Sequence, residues 1–329
     1  MLSILLLSHK GEGHELIDRL IKEGHHVKYW VETKVDPPVQ AKHAGQAVDS
    51  YTGHLPTTDL VVSFNARNGG RCESLREGGK LVVGGGVQSL VEGNEAFRHS
   101  LVKLLDLKET NVVDGPRVIL CGWFNGKDFL YSYVVQHYSR MLDGERGPSV
   151  TNMGYVAKVE PSTILHRIIP TLQELDYRGF FGVELVYSKD QAKLLEFVLN
   201  PSGGLLAAIS ECTNLALGEM LYSVASGNQY IPLRPNGTQY GIAVNIQYLD
   251  QMPVKPDDPK VGKHIWESYS PQCLGYISAR GEDVREARRR AYRTIANHTT
   301  IDALYRRDIG ANSIWEWQEE NNVSAQVRA

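Results

Sequence analysis

The first third of the chain alternates short apolar runs with amphipathic segments, a pattern that predicts strands and helices in turn. The runs Ser3–Ser8, Val27–Val31, Asp59–Phe64 and Leu81–Val83 are typical of buried strands. Between the first two of them, Glu15–Glu23 carries apolar residues at helical spacing. Strands that alternate with helices in this way indicate a parallel, doubly wound sheet.

The pattern changes after a further predicted helix at Glu95–Leu107. Two pairs of apolar segments, Arg117–Phe124 with Phe129–Gln136 and Gly182–Ser188 with Lys193–Val198, predict antiparallel hairpins. The other predicted features are a polar loop at Ser139–Gly154, helices at Ile164–Leu175, Leu205–Ala225 and Asp283–Ala296, linker-like ground from Pro232 to Pro256, and a polar, frayed end from Glu319.

Composition limits the classes of function. The 329 residues include 35 basic and 38 acidic side chains, so the formal net charge is −3 and no basic excess favours nucleic acid or a membrane surface. The one arginine-rich segment, on the helix predicted at Asp283–Ala296, is interpreted as a solvated face, so nucleic acid is not an expected partner. No apolar run has the length of a membrane span, so we expect a soluble, cytoplasmic protein of two or three domains.

Four cysteines lie far apart, without the spacing of a metal site, and are expected to be reduced thiols. They are Cys72, Cys121, Cys212 and Cys273.

The loop from Ser8 to His14 joins the first predicted strand to the first predicted helix. Its glycines, Gly11 and Gly13, allow a ligand to approach the backbone, and a helix N-terminus attracts phosphate. Lys10 and His14 add charge or hydrogen bonds. The alternative is a plain strand-to-helix turn.

Two glutamates, Glu184 and Glu196, lie on the neighbouring apolar strands of the second predicted hairpin. Side by side, these strands bring both carboxylates together, and Asn200 follows at the next turn. Two carboxylates and an amide oxygen form the hard-oxygen set that Mg²⁺ prefers. The alternative is a pair of surface glutamates on an amphipathic sheet.

The predicted loop between Ser139 and Gly154 mixes charges of both signs. Asp143 and Glu145 are suited to the amine of a zwitterion such as an amino acid, and Arg140 or Arg146 to its carboxylate. The alternative is a solvated surface loop.

Several of these segments also resemble a known family in their order along the chain. They are Gly11–His14, Leu90–Phe97, Asp143–Pro148 followed by Met153-Gly154, and, near the end, Ala279–Asp283 and Arg306–Gly310. Together they resemble the phosphoribosylamine–glycine ligase (glycinamide ribonucleotide synthetase) family of the ATP-grasp superfamily. The segment at Asp143 is the most specific internal match, to Asp-Gly-Asp-x-Gly-Pro-Asn-Thr-Gly-Gly-Met-Gly.

The resemblance implies an α/β architecture of three parts. These are a Rossmann-like N-terminal domain at 1–110, a truncated ATP-grasp central domain with an antiparallel sheet at 111–228, and a small C-terminal α+β domain at 229–329. It also implies a reaction: ATP phosphorylates the carboxylate of glycine or a similar compound, and an amine on a sugar phosphate or nucleotide-like molecule then attacks to form an amide. The implied cofactors are ATP and Mg²⁺.

The same resemblance implies roles for individual residues. Catalytic roles fall on Arg140, Asp143 and Glu145, and metal binding falls on Glu184, Glu196 and Asn200. Substrate contacts are implied for Lys10, Gly11, Gly13, His14, Arg146, Asn152, Met153, Arg307 and Asp308.

The chain departs from the family on the ATP side. In the family a lid subdomain precedes the strand that starts near Arg117, whereas here only the turn Asn111–Gly115 fills that place. Without a lid, ATP lies on an open face in water, which argues against ordinary lid-dependent chemistry. Two hypotheses follow. One is a divergent carboxylate–amine ligase, with a shortened nucleotide site or a lid supplied by a partner chain. The other is an inactive relative that binds a nucleotide, sugar phosphate or amino acid.

Overall fold

A computed structural model of the chain describes residues 1–33, 43–112, 115–188, 191–213, 216–228, 240–248, 262, 264–267, 273–298 and 303–315. Its first four strands are β1 (Ser3–Ser8), β2 (His26–Val31), β3 (Leu60–Val62) and β4 (Leu81–Val83). They form a parallel sheet in the order β2-β1-β3-β4. The parallel sheet predicted from the alternating pattern is therefore confirmed.

The later strands form a second sheet, which is antiparallel. Its strands are β5 (Arg117–Asn125), β6 (Phe129–Leu142), β7 (Arg146–Val159), β8 (Arg178–Ser188), β9 (Gln191–Val198), β10 (Tyr240–Tyr248), β11 (Ile265–Glu267), β12 (Cys273–Gly281) and β13 (Ala303–Leu304). The order is β11-β12-β10-β7-β6-β5-β8-β9, and β13 pairs with β10. Both predicted hairpins are present, as β5–β6 and β8–β9.

The prediction of a polar loop at Ser139–Gly154 is wrong. Strands β6 and β7 continue through this segment and meet at a tight turn. Gly144 and Glu145 have φ angles of 71° and 55° there, a left-handed backbone that fits a tight turn between paired strands. The polar residues occupy the outer part of a long hairpin, because backbone pairing across the strands does not depend on apolar side chains.

Eight α-helices lie within the described residues: α1 (Glu15–Lys22), α2 (Gly69–Glu77), α3 (Gly86–Gly93), α4 (Glu95–Leu104), α5 (Thr163–Glu174), α6 (Gly203–Glu211), α7 (Leu217–Ser226) and α8 (Val284–His298). The prediction of a single helix at Leu205–Ala225 is wrong, because this segment forms two helices, α6 and α7. The backbone of α6 ends at Glu211 and Cys212, and Ala216 adopts an extended conformation before α7.

The region predicted to be linker-like, from Pro232 to Pro256, contains a strand that lies inside the large sheet. In β10, the apolar residues Ile242, Val244 and Ile246 alternate along one face, and β10 lies between β7 and β12. The sheet therefore runs without a break across the boundary predicted between residues 228 and 229. The rest of that linker-like region, and the tail from Glu319, fall outside the described residues.

Each face of the large sheet is covered by its own core. One face packs against α4, α5 and α8, and the other packs against α6, α7 and the elements of the parallel sheet. Cys121 and Cys212 are free thiols in the second core, and Cys72 is a free thiol behind the parallel sheet. No helix within the described residues is long and apolar enough to span a membrane.

Candidate functional site

A row of polar side chains crosses five adjacent strands of the large sheet. In spatial order they are Tyr155 on β7, His137 on β6, Arg117 on β5, Glu184 on β8 and Glu196 on β9. Residues directly opposite each other in paired strands project to the same face, as do residues two apart in one strand. The pairing of Arg117 with His137, of His137 with Tyr155, and of Glu184 with Glu196 therefore aligns all five on one face.

Glu184 is the centre of this row. Its Oε1 accepts hydrogen bonds from Nε of Arg117 at 2.6 Å and lies 2.7 Å from Nδ1 of His137. The residue is 1% exposed. Burial by itself raises the pKa of Glu184, but His137 and Arg117 outweigh it and lower the pKa to about 2. Glu184 is therefore an ionised carboxylate with fixed partners.

Glu196 lies at the open edge of the sheet and is exposed. Partial burial of its carboxyl group and the adjacent Glu184 carboxylate raise its pKa, while Arg117 acts against them. Asn200, the third member of the predicted metal set, is exposed beyond the end of β9. The structure thus pairs the two predicted glutamates directly, and it adds an arginine and a histidine that the sequence did not assign to the site.

These residues do not fit a divalent metal. Mg²⁺ requires several oxygen ligands around an open position, whereas Oε1 of Glu184 is already shared by Arg117 and His137. Within the described part of the chain, no group of three or more His, Cys, Asp or Glu side chains is placed to hold a metal ion. The cationic guanidinium next to both carboxylates also repels a second cation.

One end of the row lies near the helix α6 and the first loop. The ring of His137 stacks on Tyr155, with 4.8 Å between the ring centroids. The hydroxyl of Tyr155 lies 3.0 Å from Oγ of Ser202, which caps the N-terminus of α6. The next residue, Gly203, packs so closely against Glu15 of α1 that a Cβ would meet its Cγ at 3.0 Å. The first loop, which precedes α1, is thus positioned on the same side of the sheet.

The first loop already holds an anion, which is its own Glu12. Oε2 of Glu12 accepts hydrogen bonds from the Ser8 hydroxyl at 2.7 Å and from the backbone N–H groups of His9 and Lys10, both at 2.9 Å. Its Oε1 accepts a bond from Asn65 at 2.8 Å. Burial raises the pKa of Glu12, but the hydrogen bonds from Ser8, Lys10 and His9 outweigh it and the pKa is lowered overall. Glu12 therefore occupies the donors of Ser8, His9, Lys10 and Asn65.

The other residues predicted in this loop stand around Glu12. Gly11 and Gly13 have φ angles of 112° and 80°, which only glycine adopts readily, so they form the tight turn into α1. Nδ1 of His14 lies 2.8 Å from the carbonyl oxygen of Gly11, and Lys10 is exposed.

The turn between β6 and β7 is fixed by a second cluster of charges, centred on the buried Arg306. Nε and Nη2 of Arg306 donate to the two carboxylate oxygens of Asp308 at 2.8 and 2.7 Å, and Nη1 lies 2.7 Å from Oε1 of Glu145. Asp143 accepts a bond from the backbone N–H of Arg307 at 2.8 Å. Two sequence motifs that lie far apart in the chain are thus joined, and we call this cluster the brace.

In the brace, the predicted catalytic acids Asp143 and Glu145 have structural partners. The backbone oxygen of Arg140 accepts a bond from Arg306 at 3.0 Å, and Nε of Arg146 donates to the backbone oxygen of Asp143 at 3.0 Å. Arg307 is exposed at the edge of the brace.

Of the remaining predicted substrate contacts, Met153 is fully buried and Asn152 is 6% exposed. The side chain of Met153 therefore packs in the interior. The carbonyl oxygen of Asn152 accepts a bond from Nδ2 of Asn245 at 3.0 Å, which ties β7 to β10.

Comparison with known proteins shows which sequences the chain resembles. No family model matches it. It is 22% identical over 233 residues to a phosphoribosylamine–glycine ligase of Streptococcus pyogenes serotype M18, which covers 62% of this chain and 55% of that protein. It is 23% identical over 267 residues to the phosphoribosylamine–glycine ligase of Thermotoga maritima, with coverage of 72% and 62%. The chain therefore spans less than two thirds of the length of these curated relatives.

The fold is similar as well. The crystal structure of the Thermotoga maritima phosphoribosylamine–glycine ligase superposes on the chain with a TM-score of 0.66 at 14% identity, over 93% of this chain and 100% of that one. Sequence and fold together confirm the resemblance that the motifs indicated: the chain is a distant relative of the phosphoribosylamine–glycine ligase family.

Proposed function

We propose that this chain is a small-molecule-binding protein built on the scaffold of a carboxylate–amine ligase, and that by itself it does not use MgATP to form a bond. Its ligand class is a nucleotide, a sugar phosphate or an amino acid. The similarity to ligases in sequence and fold supports the scaffold. The layout we propose is a Rossmann-like domain at 1–110 and a lid-less ATP-grasp-like domain at 111–228, whose sheet continues into a C-terminal domain at 229–329.

The observation that carries this proposal is the state of Glu184. In an acid pair that holds a metal, both carboxylates keep oxygens free for the ion. Here Oε1 of Glu184 is 2.6 Å from the Arg117 guanidinium and 2.7 Å from His137. The charge that a metal would neutralise is already neutralised by protein side chains. The ATP-dependent step therefore lacks its metal site in this chain.

The connection between α4 and β5 supports the same proposal. Helix α4 ends at Leu104 and β5 begins at Arg117. The segment between them runs along β9, where the backbone of Leu194 bonds to Lys108 and Thr110 at 2.8 and 2.9 Å. A segment of this length leaves no room for a subdomain, so we propose that the lid of the family is deleted here.

A second candidate is a divergent ATP-dependent carboxylate–amine ligase. It is favoured by the direct pairing of Glu184 with Glu196 and by the named activity of the curated relatives. It requires Arg117 to leave Glu184 when ligands bind, and it requires either a shortened nucleotide site or a partner chain that supplies the missing lid.

Calorimetric titration of the purified chain with MgATP separates the two candidates. We expect no MgATP binding that depends on Glu196, so the heat from the wild-type chain and from Glu196→Ala should be the same. The ligase candidate instead predicts saturable binding that Glu196→Ala weakens and that Glu174→Ala, an exposed change on α5, leaves intact. A thermal-shift screen with nucleotides, sugar phosphates and amino acids then identifies the ligand class. A screen in which none of these stabilises the chain would contradict the binding proposal.

A further inference from the structure

The side chain of Arg117 is mostly buried but incompletely paired. It is 14% exposed, and Nε donates to Glu184. A guanidinium has five N–H donors. Within the part of the chain that the structure describes, the Nη groups of Arg117 have no hydrogen-bond acceptor. These Nη groups are therefore available to an acceptor that arrives from outside.

The positive charge of Arg117 also acts on both glutamates. It lowers the pKa of Glu184 and opposes the rise in the pKa of Glu196. A divalent ion shared by these two carboxylates would have to lie close to the same place. The arginine therefore has both the position and the charge sign of the ion that the acid pair would otherwise attract.

We propose that Arg117 is a resident cation, which replaces a divalent metal beside Glu184 and Glu196 and binds an oxyanion of the ligand through its Nη groups. This inference rests on the proposed function, since it names the chemical class of ligand group that the site holds. Glu184 orients the guanidinium through Nε, which leaves the Nη edge to face the ligand. An arginine is suited to this role because its planar fork matches the two oxygens of a carboxylate or a phosphate.

Two consequences follow from this assignment. Oxyanion binding does not require a divalent metal, in contrast to binding by a carboxylate pair. Removal of the guanidinium also leaves two adjacent carboxylates without their cation, which creates a site for a divalent ion.

The first test uses Mn²⁺ alone, measured by electron paramagnetic resonance of the free ion. We expect Arg117→Met to bind Mn²⁺ at least about tenfold more tightly than the wild-type chain, a change of about 1.4 kcal/mol. The matched control Arg117→Lys keeps a cation and gains no Mn²⁺ affinity. The double variant Arg117→Met/Glu196→Gln loses the gain. Mn²⁺ binding by the wild-type chain, or no gain in a folded Arg117→Met, would overturn the assignment.

The second test rests mainly on the wild-type chain, and its deciding outcomes do not need a variant. Inorganic phosphate and acetate are titrated into the wild-type chain in the presence of EDTA and then of Mg²⁺. We expect at least one of the two anions to bind with an affinity that Mg²⁺ does not change, and Arg117→Lys to weaken it. If acetate binds and phosphate does not, the ligand group is a carboxylate. If phosphate binds and acetate does not, the ligand group is a phosphate. Binding that requires Mg²⁺, or no binding of either anion, would overturn the inference.

The two proposals fail in different ways. MgATP binding by the wild-type chain that Glu196→Ala weakens contradicts the proposed function. If MgATP does not bind and Arg117→Met gains no metal, only the role of Arg117 is wrong.

Discussion

The substitution Glu184→Gln tests the charge balance of the polar row. Glutamine keeps the size of the side chain and an acceptor oxygen, but it removes the negative charge that faces Arg117 and His137. The pKa of Glu184 is lowered from 4.5 to about 2, and at 1.36 kcal/mol per pKa unit this gap corresponds to about 3 kcal/mol of folding free energy. We therefore expect the free energy of unfolding to fall by about 3 kcal/mol at neutral pH.

Urea unfolding followed by tryptophan fluorescence measures this loss. Glu174→Gln, on the exposed face of α5, is the matched control and should change the free energy of unfolding by less than about 0.5 kcal/mol. A loss below about 1 kcal/mol in Glu184→Gln would refute the reasoning, because it would mean that the ion pair contributes little.

The same variant has a defined pH dependence. The pKa of Glu184 is lower in the folded chain than in the unfolded chain. Its stabilisation is therefore fully present above the unfolded value of about 4.5 and is lost as the pH falls through the folded value of about 2. The difference between wild type and Glu184→Gln should stay constant from neutral pH down to about pH 5 and then shrink. A difference that grows below pH 5 would contradict the assignment.

Three further substitutions test the other charged clusters. Glu211→Gln removes a fully buried carboxylate that faces His264, Ser278 and Arg280, and should lower the free energy of unfolding in urea by about 3 kcal/mol; no loss would show that this cluster does not stabilise the fold. Arg306→Lys replaces the paired guanidinium bonds of the brace with a point charge and should cost about 1–3 kcal/mol in the same assay, so a neutral result would count against the brace. Glu12→Ala leaves the donors of the first loop without an acceptor. Hydrogen exchange of the loop amides should therefore accelerate, and the free energy of unfolding should fall by about 1–3 kcal/mol. Unchanged exchange would contradict the geometry.

Much of the fold was predictable because it follows from local pattern. The strands of the parallel sheet are short apolar runs, the first two of them are joined by the amphipathic helix α1, and the structure confirms both features. The β8–β9 hairpin was equally visible, so the pairing of Glu184 with Glu196 could be expected from the sequence.

The other members of the polar row could not be predicted, because their positions depend on the register in which β5 pairs with β6. Phe124 of β5 pairs with Phe129 of β6. If the pairing stayed regular from there along both strands, Gln136 would lie opposite Arg117. The structure has an irregularity between Trp123 and Phe124, which moves the partner of Arg117 to His137. A change of one residue reverses the face on which a side chain lies. Nothing in the apolar pattern specifies this bulge, so neither Arg117 nor His137 was assigned to the site.

Tertiary pairing explains the other differences. The segment Ser139–Gly154 is polar, but it extends two strands that pair with each other, and β7 also pairs with β10. The role of Glu12 was missed because the sequence shows which residues form a loop, while the partner of each backbone N–H depends on how the loop closes. The link between Asp143 and Arg307 joins residues 164 positions apart, a distance over which local pattern carries no information.

A crystal structure of the full chain grown with MgATP tests the central claim most directly, because it shows what lies between the two glutamates. The account predicts that Nε of Arg117 stays within hydrogen-bond distance of Oε1 of Glu184, with no metal ion between Glu184 and Glu196, and that any phosphate on the polar row contacts the Nη groups of Arg117. A metal ion held by both carboxylates, with the Arg117 guanidinium displaced from Glu184 and ATP phosphates on the ion, would contradict it.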